Sequence, residues 1–237
     1  MVFTIPTGNE EFDRQFGGGI PTPSLVFIEG EHGTGKSAIA AQIMNGYLTT
    51  RSKKNVKLLC IIENTVTQYI QKMKSLTFNF SKPFVRNQLI FVPIFIKNAK
   101  WSENNSEKIL PAIQEFINQK LSLIDGIIID SISPMVINSN NQSIMSFLSF
   151  CKQVVSKGKT IIITSHSSDF SKTANTALIG ASDVYLKLGT VIVGSREVKT
   201  LKIIKLLGAK DTPESGFAFE VDLIFGIKIV PVSMANA

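Results

Sequence analysis

Residues 30–37 read GEHGTGKS, directly after the apolar run SLVFIE (24–29) and directly before AIAAQIMNGYL (38–48). The stretch fits G-x-x-x-x-G-K-[ST], with Gly30, Gly35, Lys36 and Ser37 at the required spacing. A strand before it and a helix after it are the context in which this pattern forms a phosphate-binding loop. Glycines let the backbone turn its N–H groups inward, and the helix N-terminus favours negative charge. The loop Gly30, Glu31, His32, Gly33, Thr34, Gly35, Lys36, Ser37 and Ala38 is therefore the candidate cradle for ATP. Lys36 is placed to reach the β- and γ-phosphates and Ser37 to offer its hydroxyl to Mg2+. The competing reading, a glycine-rich turn that matches by chance, lacks a reason for the strand and helix around it.

Four further apolar runs follow: KLLCIIE (57–63), LIFVPIFI (89–96), IDGIIIDS (124–131) and KTIIITSH (159–166). Between them lie helix-like stretches from about Thr67 to Leu76, Glu107 to Leu123 and Gln142 to Lys157. Continuous apolar strands separated by helices predict a parallel sheet covered on both faces. The last third is different. DVYLKLG, TVIVG, TLKIIKLLG, FAFEVD and IKIVPV are short, β-branched and punctuated by Gly, Asp and Pro. They predict antiparallel strands extending the sheet at one end. The expectation is one α/β domain over 1–237, with no linker, repeat or low-complexity segment.

The run GIIID (126–130) puts an acid at the end of an apolar strand. In phosphate-loop proteins such an acid holds the magnesium. Asp130 is the candidate, with Ser37 the second metal ligand and Ser131 beside it. Asp125 reads as a loop residue at the strand's start.

Composition bounds the alternatives. With 237 residues, 44% of them hydrophobic, the chain can bury a sizeable core. The two cysteines, Cys60 and Cys151, lie in apolar surroundings and suggest buried thiols rather than a disulfide framework. The N-terminus lacks a basic segment followed by an apolar run, so no signal peptide is expected. Asp125 and Asp130 interrupt the longest apolar stretch, which argues against a membrane span. A soluble cytoplasmic protein is the expectation. Net charge is +7, but the lysines are spread out. The densest cluster, Arg51, Lys53, Lys54 and Lys57, has no interleaved aromatics and reads as a solvated turn.

The segment GNEEFDRQFGGGIPTPSLVFIEGEHGTGKSAIAAQ resembles the opening of KaiC-like members of the RecA superfamily, with Gly8, Asp13, Gly18, Gly19 and Pro21 matching. REVKTLKIIKLLGAK and FAFEVDLIFGIKIVPV resemble the ending of the same family. A single copy with IIIDSIS, ITSH and DVYLKLG is most similar to its archaellum-associated accessory proteins. The resemblance implies a RecA-like core, ATP and Mg2+ as ligands, and a hexameric ring. It also implies a place at the cytoplasmic base of a membrane motor, in contact with the motor ATPase and with scaffold or membrane components.

It further suggests which residues decide whether ATP is spent. The water-activating carboxylate of RecA-like proteins follows the strand after the loop helix, which makes Glu63 the candidate catalytic base. KaiC-like enzymes carry two adjacent glutamates there; this chain has Glu63 and Asn64. They also present a K-L-R-G segment to the neighbouring subunit. Here the segment is KLLGAK, which keeps Lys205 but has Leu207 in place of the arginine, with Lys210 nearby. Such an arginine can contribute about 10³–10⁵ in rate. His166, after the fifth run, is placed to sense the γ-phosphate, with Thr164 and Ser165 as alternatives. Ile229 and Pro231 are the expected adenine contacts.

The expected function is thus a nucleotide-dependent switch with slow or no hydrolysis. One rival is an active ATPase or autokinase, supported by Glu63 and by the hydroxyl-rich SHSSDFSKTANT (165–176). The other is a RecA-type DNA repair protein. Its DNA-binding loop would fall on SSDFSKTANTALIGASD, whose two acids and single lysine argue against nucleic acid.

Overall fold

In the computed structural model the described residues are 3–50, 56–94, 103–137, 139–222 and 226–230. A nine-stranded sheet has the order β11-β10-β9-β8-β3-β7-β6-β4-β5. Its parallel part comprises β3 (Leu25–Gly30), β4 (Leu58–Ile62), β5 (Leu89–Pro93), β6 (Gly126–Asp130) and β7 (Thr160–Ser165). These are the five apolar runs. The last third supplies β8 (Val184–Val193), β9 (Arg196–Leu206), β10 (Gly216–Asp222) and β11 (Gly226–Val230).

The antiparallel extension is present, with two features the sequence did not signal. DVYLKLG and TVIVG form one continuous strand, β8. That strand runs parallel to β3 and antiparallel to β9, so it joins the two parts of the sheet.

Both faces are buried because both parities of each strand are apolar. In β3, Val26 and Ile28 pack with α2 (Lys36–Thr50), while Leu25 and Phe27 pack against the opposite layer. Ile128 and Ile162 repeat the first pattern; Ile127, Ile129, Ile161 and Ile163 repeat the second. Each such side chain contributes about 1.5–3 kcal/mol by burial. The opposite layer includes α5 (Glu103–Lys120), the short α6 (Ser133–Val136), α7 (Asn141–Ser156) and α8 (Lys172–Ala181). On the first face, α3 (Val66–Ser75) buries Tyr69 and Met73, and the short α4 (Ser81–Val85) lies against β5.

The helix after the loop is buried nearly all round: Ile39, Ala40, Ala41, Ile43, Met44 and Tyr47 are at most 2% exposed. A helix of that kind needs cover on its outer side. The N-terminal segment provides it, with β1 (Phe3–Ile5) pairing antiparallel to β2 (Ile20–Thr22). Gly46 is required at the crossing, since a Cβ there would lie 2.2 Å from the Pro6 carbonyl oxygen.

The opening motif is structural. Asn9 caps α1 (Glu10–Gln15) and also donates from Nδ2 to the Ile227 carbonyl at 2.7 Å. The Asp13 carboxylate accepts the Thr7 N–H at 2.7 Å. Cys60 and Cys151 are free and buried. Among the described residues no helix is long and apolar enough to cross a membrane. Arg51, Lys53, Lys54 and Pro231 lie outside the described residues.

Candidate nucleotide-binding site

The ends of β3, β6 and β7 bring the predicted residues to one edge of the sheet, on the α2 face. Gly30 admits no side chain: a Cβ there would lie 2.7 Å from Thr34 Oγ1 and 2.9 Å from the Leu188 Cβ. At Gly35, φ is +98° and a Cβ would lie 3.2 Å from the Phe219 ring. Both positions need glycine, which leaves the loop wall as bare backbone. Gly33, at φ +78°, has open space around it. Thr34 ties the loop internally, its hydroxyl donating to the Glu31 carbonyl at 2.8 Å. Ala38 is buried in the first turn of α2.

The Lys36 ammonium donates to the carbonyls of Gly30 at 2.7 Å and Glu31 at 2.9 Å. Its pKa is lowered, first by burial, with the charges of Asp130, Glu31, Asp169 and Glu63 opposing. It also lies 3.2 Å from His166 Nδ1. An ammonium has only donors, so this nitrogen of His166 is the acceptor and its imidazole is neutral. Burial and the nearby Lys36 and His32 charges lower the His166 pKa in the same sense. The His32 and His166 rings lie against each other, centroids 3.8 Å apart, joining the loop to the segment after β7. Asp169 holds that segment by accepting the His166 N–H at 2.7 Å and the Ser133 hydroxyl at 2.5 Å.

Asp130 is 7% exposed and its Oδ1 accepts two hydroxyls, from Ser37 at 3.0 Å and Thr164 at 2.8 Å. Thr164 is thus a support for the acid. Ser165 does not face the loop. Strand alternation puts it on the opposite side with Ile161 and Ile163, where its hydroxyl is buried without a partner among the described residues. Glu63, half-buried, accepts the Ser131 hydroxyl, which places its carboxylate beside the Asp130 strand end.

The donor set suits magnesium. A serine hydroxyl and a carboxylate are hard oxygen ligands, and Mg2+ commonly takes one or two from protein and the rest from phosphate and water. Among the described residues no cluster of three or more His, Cys, Asp or Glu offers an all-protein metal cage. The loop suits a phosphate chain, because its glycines expose backbone at the start of a helix.

Sequence reasoning missed the floor of the loop. Leu188, Lys199 and Phe219, from β8, β9 and β10, lie against Gly30 or Gly35. Ile229 pairs with Phe219 across β10 and β11, so it sits one strand further along. Lys72 on α3 was also missed; its ammonium is 3.4 Å from Ser37 Oγ. No spacing rule marks either lysine, because strand order decides which face each meets.

The K-L-R-G counterpart lies elsewhere. Lys205 donates to the carbonyls of Ile179 at 3.2 Å and Gly180 at 2.9 Å, at the end of α8. Leu207 is 54% exposed. Lys205 pairs with Tyr185, near the start of β8, whereas the phosphate loop adjoins Leu188 further along that strand.

Comparison with known proteins agrees with this architecture. The family model described as "ATPase: KaiC" matches residues 5–233. The archaeal flagellar ATP-binding protein FlaH of Sulfolobus acidocaldarius is 36% identical over 98% of this chain and 99% of its own length. The protein of the same name from Methanocaldococcus jannaschii is 25% identical over 98% of this chain and 97% of its own. The crystal structure of the flagellar accessory protein FlaH from Methanocaldococcus jannaschii superposes with a TM-score of 0.83 at 23% identity, covering 98% of this chain and 100% of that one. The chain therefore belongs to the KaiC family of ATPases and, within it, to the archaeal flagellar FlaH proteins.

Proposed function

We propose that the chain, as a single RecA/KaiC-like domain over 1–237, binds ATP·Mg2+ and acts as a nucleotide-dependent switch in the archaellum motor, with slow or no hydrolysis of its own. The observation that carries this reading is an imbalance. The binding half of the site is complete: the loop, Lys36, and Asp130 with Ser37 and Thr164. The half that would stabilise charge in the transition state is weak, since Leu207 stands at the arginine position and Lys205 is engaged with α8 carbonyls. Transition-state charge stabilisation is the main protein contribution to phosphoryl transfer. A site that binds without it holds the ligand.

In this proposal the loop from Gly30 to Ala38 cradles the phosphates, and Ser37 and Asp130 hold Mg2+. The metal, when bound, neutralises phosphate charge. His166 reads the γ-phosphate, and Glu63 is the candidate base for residual hydrolysis. Ile229 and Pro231 adjoin the adenine. ATP shifts an equilibrium by its differential affinity for two conformations. The shifting element is the ring interface of a hexamer or a surface for the motor ATPase and its scaffold or membrane components. The site of action is the cytoplasmic face of the membrane, where the chain is peripheral. The FlaH names of the relatives and the KaiC family membership support the setting.

The test is mass measurement in solution with and without ATP·Mg2+, using Lys36→Ala as control. The proposal expects an ATP-dependent change of oligomeric mass or of affinity for the motor ATPase, absent in the variant. Tight ATP binding with neither change contradicts the switch.

A further inference from the structure

We infer that Lys199 is a nucleotide-contacting residue of this same site, supplied by the chain to its own phosphate loop; this rests on the reading that the loop binds ATP. Lys199 lies on β9, paired with Thr190 of β8 and with Phe219 of β10. Its strand parity is that of Leu201, which packs in the core on the α2 face, so Lys199 points toward the loop. A Cβ on Gly35 would lie 3.5 Å from the Lys199 Cδ and 3.2 Å from the Phe219 ring, so the lysine stem and the ring lie beside the glycine. The ammonium is two bonds beyond Cδ. Among the described residues it has no hydrogen bond, ion pair or ring contact.

A lysine whose stem is half-covered and whose ammonium has no partner presents its charge to an incoming anion. Beside its stem are Phe219, which is fully buried, and Gly35 of the loop. Among the described residues no carboxylate pairs with it, whereas Lys152 and Lys187 each have one. The anion that fits is the one the loop is built to hold, a nucleotide phosphate chain. Lys36 reaches the loop from α2 and Lys199 from the sheet, so the two cations converge from different elements. The contact strengthens binding of the ground state. It therefore fits a chain that retains ATP while lacking an arginine at position 207.

The experiment is a fluorescence titration with an N-methylanthraniloyl ATP analogue and Mg2+, on wild type, Lys199→Met, Lys199→Arg and Lys36→Ala. Methionine keeps most of the stem and removes the charge. Lys199→Met is expected to bind about tenfold more weakly, which corresponds to about 1.4 kcal/mol. Its affinity should also fall less steeply with salt. Lys199→Arg should stay within about threefold of wild type, because it restores the charge. Unchanged melting of the nucleotide-free variants separates these effects from folding, and Lys199→Gln replaces the methionine variant if that one does not fold. Binding by Lys199→Met within about twofold of wild type overturns the inference, as does arginine binding as weakly as methionine. Failure of wild type itself to bind ATP overturns both this inference and the proposed function. Normal wild-type binding with an indifferent Lys199 overturns this inference alone.

Discussion

Replacing Thr164 by valine tests whether Asp130, the proposed magnesium ligand, is held in place by its hydrogen bonds in the nucleotide-free protein. Thr164 is fully buried, and its hydroxyl donates to Asp130 Oδ1 at 2.8 Å. Valine preserves shape but puts a methyl group against the carboxylate, leaving Ser37 as the remaining hydroxyl donor to that oxygen at 3.0 Å. A hydrogen bond to a charged group is worth about 1.5–3 kcal/mol, and a buried acceptor that loses its donor carries the desolvation cost. The expected loss is about 2 kcal/mol, or about 4–8 °C in Tm for a chain of this size. The assay is thermal unfolding of nucleotide-free protein, followed by circular dichroism. A second arm repeats the substitution in an Asp130→Asn background. There the acceptor is neutral, so the cost should fall to about 1 kcal/mol, and the two changes should be non-additive. A shift below about 1 °C in the first arm, or equal costs in both, refutes the reasoning, because Thr164 would then contribute nothing specific to the charged acid.

Three further expectations follow from the geometry. Leu207→Arg restores the segment that the family presents to a neighbour, and should raise ATP turnover of the assembled protein by at least about tenfold, against the 10³–10⁵ such a residue can supply; unchanged turnover, measured by phosphate release, argues that position 207 is not what limits the rate. His166 is held below its ordinary pKa by burial and by the Lys36 and His32 charges, with Asp169 and Glu63 opposing. The folded free protein thus binds fewer protons than the unfolded chain between that lowered value and about 6.5, so stability drops as pH falls through this window. Bound phosphate favours the imidazolium instead, so ATP affinity should rise as pH falls from about 8 to about 6, and His166→Asn should flatten that rise; identical profiles for wild type and variant contradict the sensor role. Gly46→Ala puts a methyl group 2.2 Å from the Pro6 carbonyl oxygen and should cost about 1–3 kcal/mol as overpacking, seen as a lower Tm; a neutral result would mean that the N-terminal segment shifts freely over α2.

The parallel core was legible because its signal is local. Runs such as GIIID and TIIIT carry three isoleucines in succession, so both parities are apolar, and only a sheet covered on both faces uses both. The loop was legible because its glycine positions are fixed by close packing, such as Gly30 against Thr34 and Leu188. The opening motif was legible as a family resemblance but not as a mechanism. Asp13 caps the Thr7 N–H and Asn9 reaches the Ile227 carbonyl, a contact across almost the whole chain. The antiparallel extension was visible in the β-branched last third. The continuity of β8 was hidden by Gly189, which sits mid-strand opposite Thr200. Lys199 and Lys72 stayed hidden for a similar reason. One reaches the loop through strand order, the other through the packing of Tyr69 and Met73, and neither is encoded in spacing. Ser165 was a plausible sensor by position alone, but alternation turns it away from the loop that Thr164 faces.

Following bound nucleotide over hours tests most directly the central claim that the site holds ATP rather than spending it. Purified protein is loaded with ATP·Mg2+, with Lys36→Ala as the binding control, and the nucleotide is separated by chromatography at intervals. Retention of intact ATP on the wild type, with none on the variant, is the result expected of a site that has its phosphate loop and the proposed magnesium ligand Asp130 but a leucine at 207. Steady multiple turnover to ADP that Glu63→Gln abolishes would contradict it and make the protein an ATPase in its own right.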